Sequence, residues 1–166
     1  NFTDISVGGE QNGVVVGTVI DSTYHGVIFH TSNGGISWNK QSSTILLQAV
    51  SLCDANVGVS VGFLGKILWT TDGGNSWLPQ QTNVNANLHA VSCINHEVAF
   101  AVGGYGTILR TTNGGTTWTN HVLSWLNQLT GVGFANADLG IAVDYEGIVF
   151  KTTDGGTTWA QQQNLN

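Results

Sequence analysis

Thr70-Thr-Asp-Gly-Gly-Asn-Ser-Trp77 is one of four near-identical octets in a chain of 166 residues. The others are Thr31-Ser-Asn-Gly-Gly-Ile-Ser-Trp38, Thr111-Thr-Asn-Gly-Gly-Thr-Thr-Trp118 and Thr152-Thr-Asp-Gly-Gly-Thr-Thr-Trp159. Their tryptophans stand 39, 41 and 41 residues apart. Propeller blades recur at roughly 40–45 residues. Adjacent glycines permit the positive-φ geometry of a tight hairpin. The Asn or Asp before them can bind nearby backbone N–H groups as an Asx turn does. The large indole that follows is suited to packing between neighbouring blades.

Outward from the octets, the rest of each unit repeats as well. A first β-rich segment reads Phe2-Thr-Asp-Ile5, Leu47-Gln-Ala-Val50, Leu88-His-Ala-Val91 and Leu129-Thr-Gly-Val132. A second reads Val14-Val-Val16, Val59-Ser-Val61, Phe100-Ala-Val102 and Ile141-Ala-Val143. A third follows Gly26, Gly65, Gly106 and Gly147, and a fourth begins at each octet's tryptophan. Four short strands per unit, divided by turn residues, predict an antiparallel blade. The expected fold is all-β: a single propeller domain over residues 1–166, with blades at about 2–46, 47–87, 88–128 and 129–166.

The octets match the Asp-box, or bacterial neuraminidase repeat, Ser/Thr-x-Asp-x-Gly-x-Ser/Thr-Trp. Thr70, Asp72, Gly74, Ser76 and Trp77 fit it, as do Thr152, Asp154, Gly156, Thr158 and Trp159. The other two carry Asn33 and Asn113 in place of Asp, ahead of Trp38 and Trp118. With the preceding Gly-x-Ile-Leu run, the whole unit most resembles the photosystem II stability/assembly factor family. Asp-box propellers also include sialidases, xyloglucan hydrolases and receptors, so the resemblance speaks to fold before function. It implies that the Asp-box lies between strands three and four, as a hairpin brace away from the usual ligand face.

Composition removes several functions. Charged residues are 8% of the chain, against roughly 25% in an ordinary domain. Lys40, Lys66, Arg110 and Lys151 are the whole basic complement, and the net charge is −6. A nucleic-acid partner needs a basic face, which these residues do not supply. Anionic lipid is disfavoured likewise, and no apolar run approaches the ~18–20 residues of a membrane span. A sialidase needs several arginines to clamp the substrate carboxylate, and Arg110 stands alone. The five histidines have no metal-binding spacing, so neither metal nor other cofactor is expected. The chain begins at Asn1 and contains no Met, as expected of a processed or excised product. An extracellular or cell-surface setting is the expectation. Cys53 and Cys93 leave open a disulfide or two thiols.

Ligands of such propellers usually meet the face made by the strand 2–3 hairpins and the links between blades. The first hairpin, Thr18 to His25, is enlarged; its equivalents are Phe63-Leu64, Gly104-Tyr105 and Asp144-Tyr145-Glu146. Variation on a fixed frame suits recognition. Tyr24, His25, Tyr105, Trp125, Asp144, Tyr145 and Glu146 are the candidate ligand-binding residues. Their aromatic rings could stack on a glycan or anchor a protein, or simply pack on neighbouring loops. Asp144 and Glu146 could instead be the carboxylates of a glycosidase fragment, although acids alternating on a hairpin are more often solvated. The leading expectation is a non-catalytic module that binds protein or glycan. The alternative is a self-assembling unit, because four blades can close alone, pair into an eight-bladed ring, or continue head to tail.

Overall fold

The computed structural model describes residues 1–21, 24–123 and 128–162. Four antiparallel sheets of four strands follow one another, each in up-and-down order. The first blade holds β1 (Phe2–Val7), β2 (Gly13–Val19), β3 (His25–Thr31) and β4 (Asn39–Ser43). The second holds β5 (Leu47–Leu52), β6 (Gly58–Gly62), β7 (Ile67–Thr70) and β8 (Leu78–Gln80). The third holds β9 (Leu88–Cys93), β10 (Ala99–Gly103), β11 (Thr107–Thr111) and β12 (Thr119–Val122). The fourth holds β13 (Leu129–Phe134), β14 (Gly140–Asp144), β15 (Val149–Thr152) and β16 (Ala160–Gln161). No described helix is long and apolar enough to cross a membrane.

Each blade's first strand carries a bulge at its second residue. The pairing skips a residue between Phe2 and Asp4, Leu47 and Ala49, and Leu129 and Gly131, and skips His89 in β9. An inserted residue breaks the two-residue alternation of side chains. Leu47, Val50 and Leu52 therefore share one face and one core despite their uneven spacing.

The cores lie between blades. In the first seam Val14, Val16 and Ile28 of one blade meet Leu47, Val50, Leu52 and Leu68 of the next. In the second, Val59, Val61, Ile67 and Trp69 meet Leu88 and Leu109. In the third, Phe100, Val102 and Ile108 meet Leu129 and Phe150. Trp77, Trp118 and Trp159 pack against the first, second and third seams. The first strands β1, β5, β9 and β13 pack in series, and no comparable packing joins β13 to β1 among the described residues. The array is thus open rather than a closed four-bladed ring. Leu47, Leu88 and Leu129 are 0% exposed, whereas Phe2, at the same place in the first blade, is 69% exposed.

The Asp-box braces the outer corner of every blade. Thr70, at the end of β7, donates its hydroxyl to Asp72 Oδ1 at 2.9 Å and accepts the N–H groups of Asp72 and Gly74 at 3.3 and 3.0 Å. Asp72 Oδ1 accepts the Ser76 N–H at 2.8 Å, and Oδ2 accepts the Ser76 hydroxyl at 2.6 Å. Thr152, Asp154 and Thr158 repeat the pattern. At Asn33 and Asn113 the last bond reverses: the amide donates to Ser37 at 2.8 Å and to Thr117 at 2.9 Å. Gly156 shows why the second glycine is needed. Its φ is +79°, and a Cβ there would stand 2.5 Å from the Phe100 ring of the preceding blade.

These bonds also set acidity. The Thr158 hydroxyl, the Thr158 N–H and the Thr152 hydroxyl hold Asp154 down at about 2, from an ordinary 3.8. Partial burial opposes the same shift at Asp72, but hydrogen bonds from Ser76 and Thr70 outweigh it, and its carboxyl is lowered.

Candidate functional site: the strand 2–3 hairpin face

The strand 2–3 hairpins lie at the opposite end of the strands from the Asp-box turns. The link entering each blade secures them. Phe63 N–H donates to Leu46 O at 3.1 Å, Gly104 N–H to Asn87 O at 2.9 Å and Tyr145 N–H to Gln128 O at 2.9 Å. Close approach explains the glycine that ends β6: a Cβ on Gly62 would lie 2.0 Å from Leu46 O. The departing link adds Leu64 N–H to Asn87 Oδ1 at 3.1 Å and Gly65 N–H to Ala86 O at 2.7 Å. Loops held at both ends make a firm platform.

One large side chain projects from each hairpin. Tyr24 is 55% exposed, Leu64 62%, Tyr105 68% and Tyr145 84%. Three of the four occupy left-handed backbone, with φ of 41° at Tyr24, 56° at Leu64 and 57° at Tyr105. That conformation costs a non-glycine residue roughly 1–2 kcal/mol. Strain retained at exposed apolar residues calls for a functional explanation.

The other candidates divide. His25 is half-buried, and its Nδ1 lies 3.8 Å from Asp21. Glu146 is exposed beside Tyr145. Asp144 is 5% exposed, and its Oδ1 accepts the N–H groups of Glu146 at 3.0 Å and Ile148 at 2.8 Å. Asp144 thereby braces its own hairpin. Trp125 lies outside the described residues. Leu64 was missed as a candidate, although its place between Phe63 and Gly65 matches Tyr105 between Gly104 and Gly106. Beside it Lys66, Gln80, Thr82 and Asn85 line a polar recess of 330 Å³. Among the described residues, no three His, Cys, Asp or Glu side chains gather as a metal site.

Cys53, just after β5, and Cys93, the last residue of β9, form a disulfide between the second and third blades. Next to it, Asp54 accepts the backbone N–H groups of Val57 and Asn56 and bonds His96, which together lower its carboxyl to about 2.

The family model for the Photosynthesis system II assembly factor YCF48 matches residues 43–163. The chain belongs to this family. No curated protein sequence matches it at a significant level. Among solved structures, a YCF48 bound to D1 peptide is similar at 17% identity and a TM-score of 0.58, over 97% of this chain and 82% of that one. YCF48 from Cyanidioschyzon merolae is similar at 16% identity and a TM-score of 0.53, over 97% and 69%. The Niastella koreensis GH74 enzyme reaches a TM-score of 0.76 at 13% identity, over 96% of this chain but 30% of its own. At such identities these likenesses speak to the fold: an Asp-box propeller architecture shared by YCF48 proteins and much longer glycoside hydrolases.

Proposed function

We propose that this YCF48-family chain is a non-catalytic scaffold that binds a segment of a partner protein across its strand 2–3 hairpin face. The carrying observation is the row of exposed Tyr24, Leu64, Tyr105 and Tyr145, three of them in left-handed backbone. Large apolar side chains on a rigid base lose little entropy on binding and form typical hot spots. The similar YCF48 structure holds a D1 peptide, which supports a peptide-like ligand. The bracing role of Asp144 weighs against hydrolysis by this hairpin.

The test is calorimetry against a panel of synthetic peptides that includes D1 segments, with a glycan panel in parallel. Tyr105→Gly and Tyr145→Ala should each weaken peptide binding by roughly tenfold, the worth of one hot-spot side chain. Tyr105→Gly should not lower Tm, because glycine relaxes the backbone at that site. The reading is overturned if no peptide binds, if only glycans bind, or if both variants bind as the parent does.

A further inference from the structure

We infer that the recess beside Leu64 on the second blade takes a carboxylate of the bound segment, an Asp or Glu side chain next to an apolar residue, with Lys66 as its counter-ion. The inference rests on the peptide-binding reading above and adds what that segment must carry.

The recess comes from an enlarged link. Residues 44–46 suffice to join β4 to β5, whereas residues 81–87 join β8 to β9. The longer link folds against the hairpin. A Cβ on Gly65 would stand 2.1 Å from Val84 O, so backbone meets backbone there. Thr82 is buried, and its hydroxyl donates to Gly65 O at 2.8 Å and accepts the Val84 N–H at 3.4 Å. Asn83 turns the link in left-handed backbone, at a φ of 56°, a conformation that asparagine tolerates. On the other wall, Lys66 N–H donates to Phe63 O at 3.2 Å, and Lys66 O accepts the Gly62 N–H at 3.0 Å. Hydrogen bonds thus fix the backbone of both walls.

The side chains on those walls are uncommitted. Lys66, Gln81, Asn83 and Asn85 line the recess, are exposed, and hold no side-chain partner among the described residues. An ammonium only donates, and each amide brings two N–H donors to one acceptor oxygen. An ionised carboxylate only accepts, and its bond to an ammonium is roughly twice as strong as a neutral one. A sugar hydroxyl could pair with the amides but would leave the ammonium without a counter-charge.

The placement of charge agrees. Lys40 lies in β4 just past one Asp-box, and Arg110 and Lys151 lie in β11 and β15 just before two others. Of the four basic residues, only Lys66 adjoins a strand 2–3 hairpin. The acids of these hairpins, Asp21, Asp144 and Glu146, belong to the first and fourth blades. An acidic segment is thereby directed to the second blade, where Leu64 offers the apolar contact beside the cation. The sign is diagnostic. The chain carries a net charge of −6, so without a local cation a carboxylate would weaken a peptide's binding. Physiological salt screens that general repulsion beyond about 8 Å, which leaves the recess to decide.

The test pairs each acidic peptide of the calorimetry panel with its amide twin, Asp replaced by Asn and Glu by Gln. The parent should bind the acidic twin about tenfold tighter, beyond the roughly fivefold that a solvated ion pair supplies. Lys66→Gln should abolish that preference, so that both twins bind alike, and Lys66→Arg should keep it. Neither change should alter Tm, because the side chain is exposed. Twins that bind the parent equally, or a preference that survives Lys66→Gln, would overturn the proposal. So would a panel glycan that displaces the acidic peptide and binds Lys66→Gln as tightly as the parent. If Tyr105→Gly and Tyr145→Ala still weaken peptide binding while the twins bind alike, the hairpin reading stands and the carboxylate recess alone falls. If no peptide binds, both fall.

Discussion

At the Asp-box corners, four different sequences build one structure: a threonine hydroxyl accepts the same two backbone N–H groups in every blade. At the strand 2–3 hairpins one backbone position carries different side chains, Leu64 in one blade and Tyr105 in the next, at nearly the same φ. The corners spend their polar groups on themselves. The hairpins secure their backbone through the links and leave the side chain unspent. A repeat protein can therefore change its ligand without touching the bonds that keep its blades in shape.

The sharpest way to break that contrast is to attack the frame. Phe100 is 0% exposed and stacks on Phe134 with ring centroids 3.9 Å apart. Phe100→Ala should cost about 3–5 kcal/mol, measured as a fall in the urea midpoint. A cost below about 1 kcal/mol would mean that the third seam collapses around the gap. The corners come next. Thr70→Val keeps the shape but orphans the N–H groups of Asp72 and Gly74, an expected loss of about 1–3 kcal/mol. Tyr145→Ala on the hairpin face should stay within about 0.5 kcal/mol. Equal costs for the two would erase the distinction between corner and hairpin.

The smallest effect separates corner from corner. Asp154 ionises near 2 in the folded chain, below its ordinary 3.8. A depressed carboxyl contributes stability above the unfolded value, and loses it as pH falls through the folded one. Acid should therefore weaken the protein between pH about 4 and about 2. Asp154→Asn should flatten part of that slope, because Asn113 already builds the same turn with an amide. An unchanged slope in urea titrations across this window would assign the acid sensitivity elsewhere, with Asp54 the first alternative.

The blades were legible because the octet repeats and because each octet carries its own turn chemistry. The uneven spacing of Leu47, Val50 and Leu52 also carried the bulge, although strict alternation hid it. Other features depend on distance across the chain. Nothing in the spacing of Cys53 and Cys93 pairs them until the blades stack and bring their Cα atoms to 5.0 Å. Asp144 stands in the sequence where the other blades carry glycine, and only the folded hairpin brings its Oδ1 onto the N–H groups of Glu146 and Ile148. The sequence does not single out Leu64, because aliphatic side chains in loops usually pack, and its exposure is a property of the folded face.

The Cys53–Cys93 bond also governs how the array comes apart. Blades in a linear stack lean mainly on their neighbours, and such stacks lose structure from whichever unit has one neighbour fewer. The Cys53–Cys93 bond stands at the seam between the second and third blades, so an opening that spreads from blade to blade is expected to stop there. While that crosslink lasts, the second and third blades cannot part even when the packing between them loosens, and a reducing agent is expected to remove that restraint.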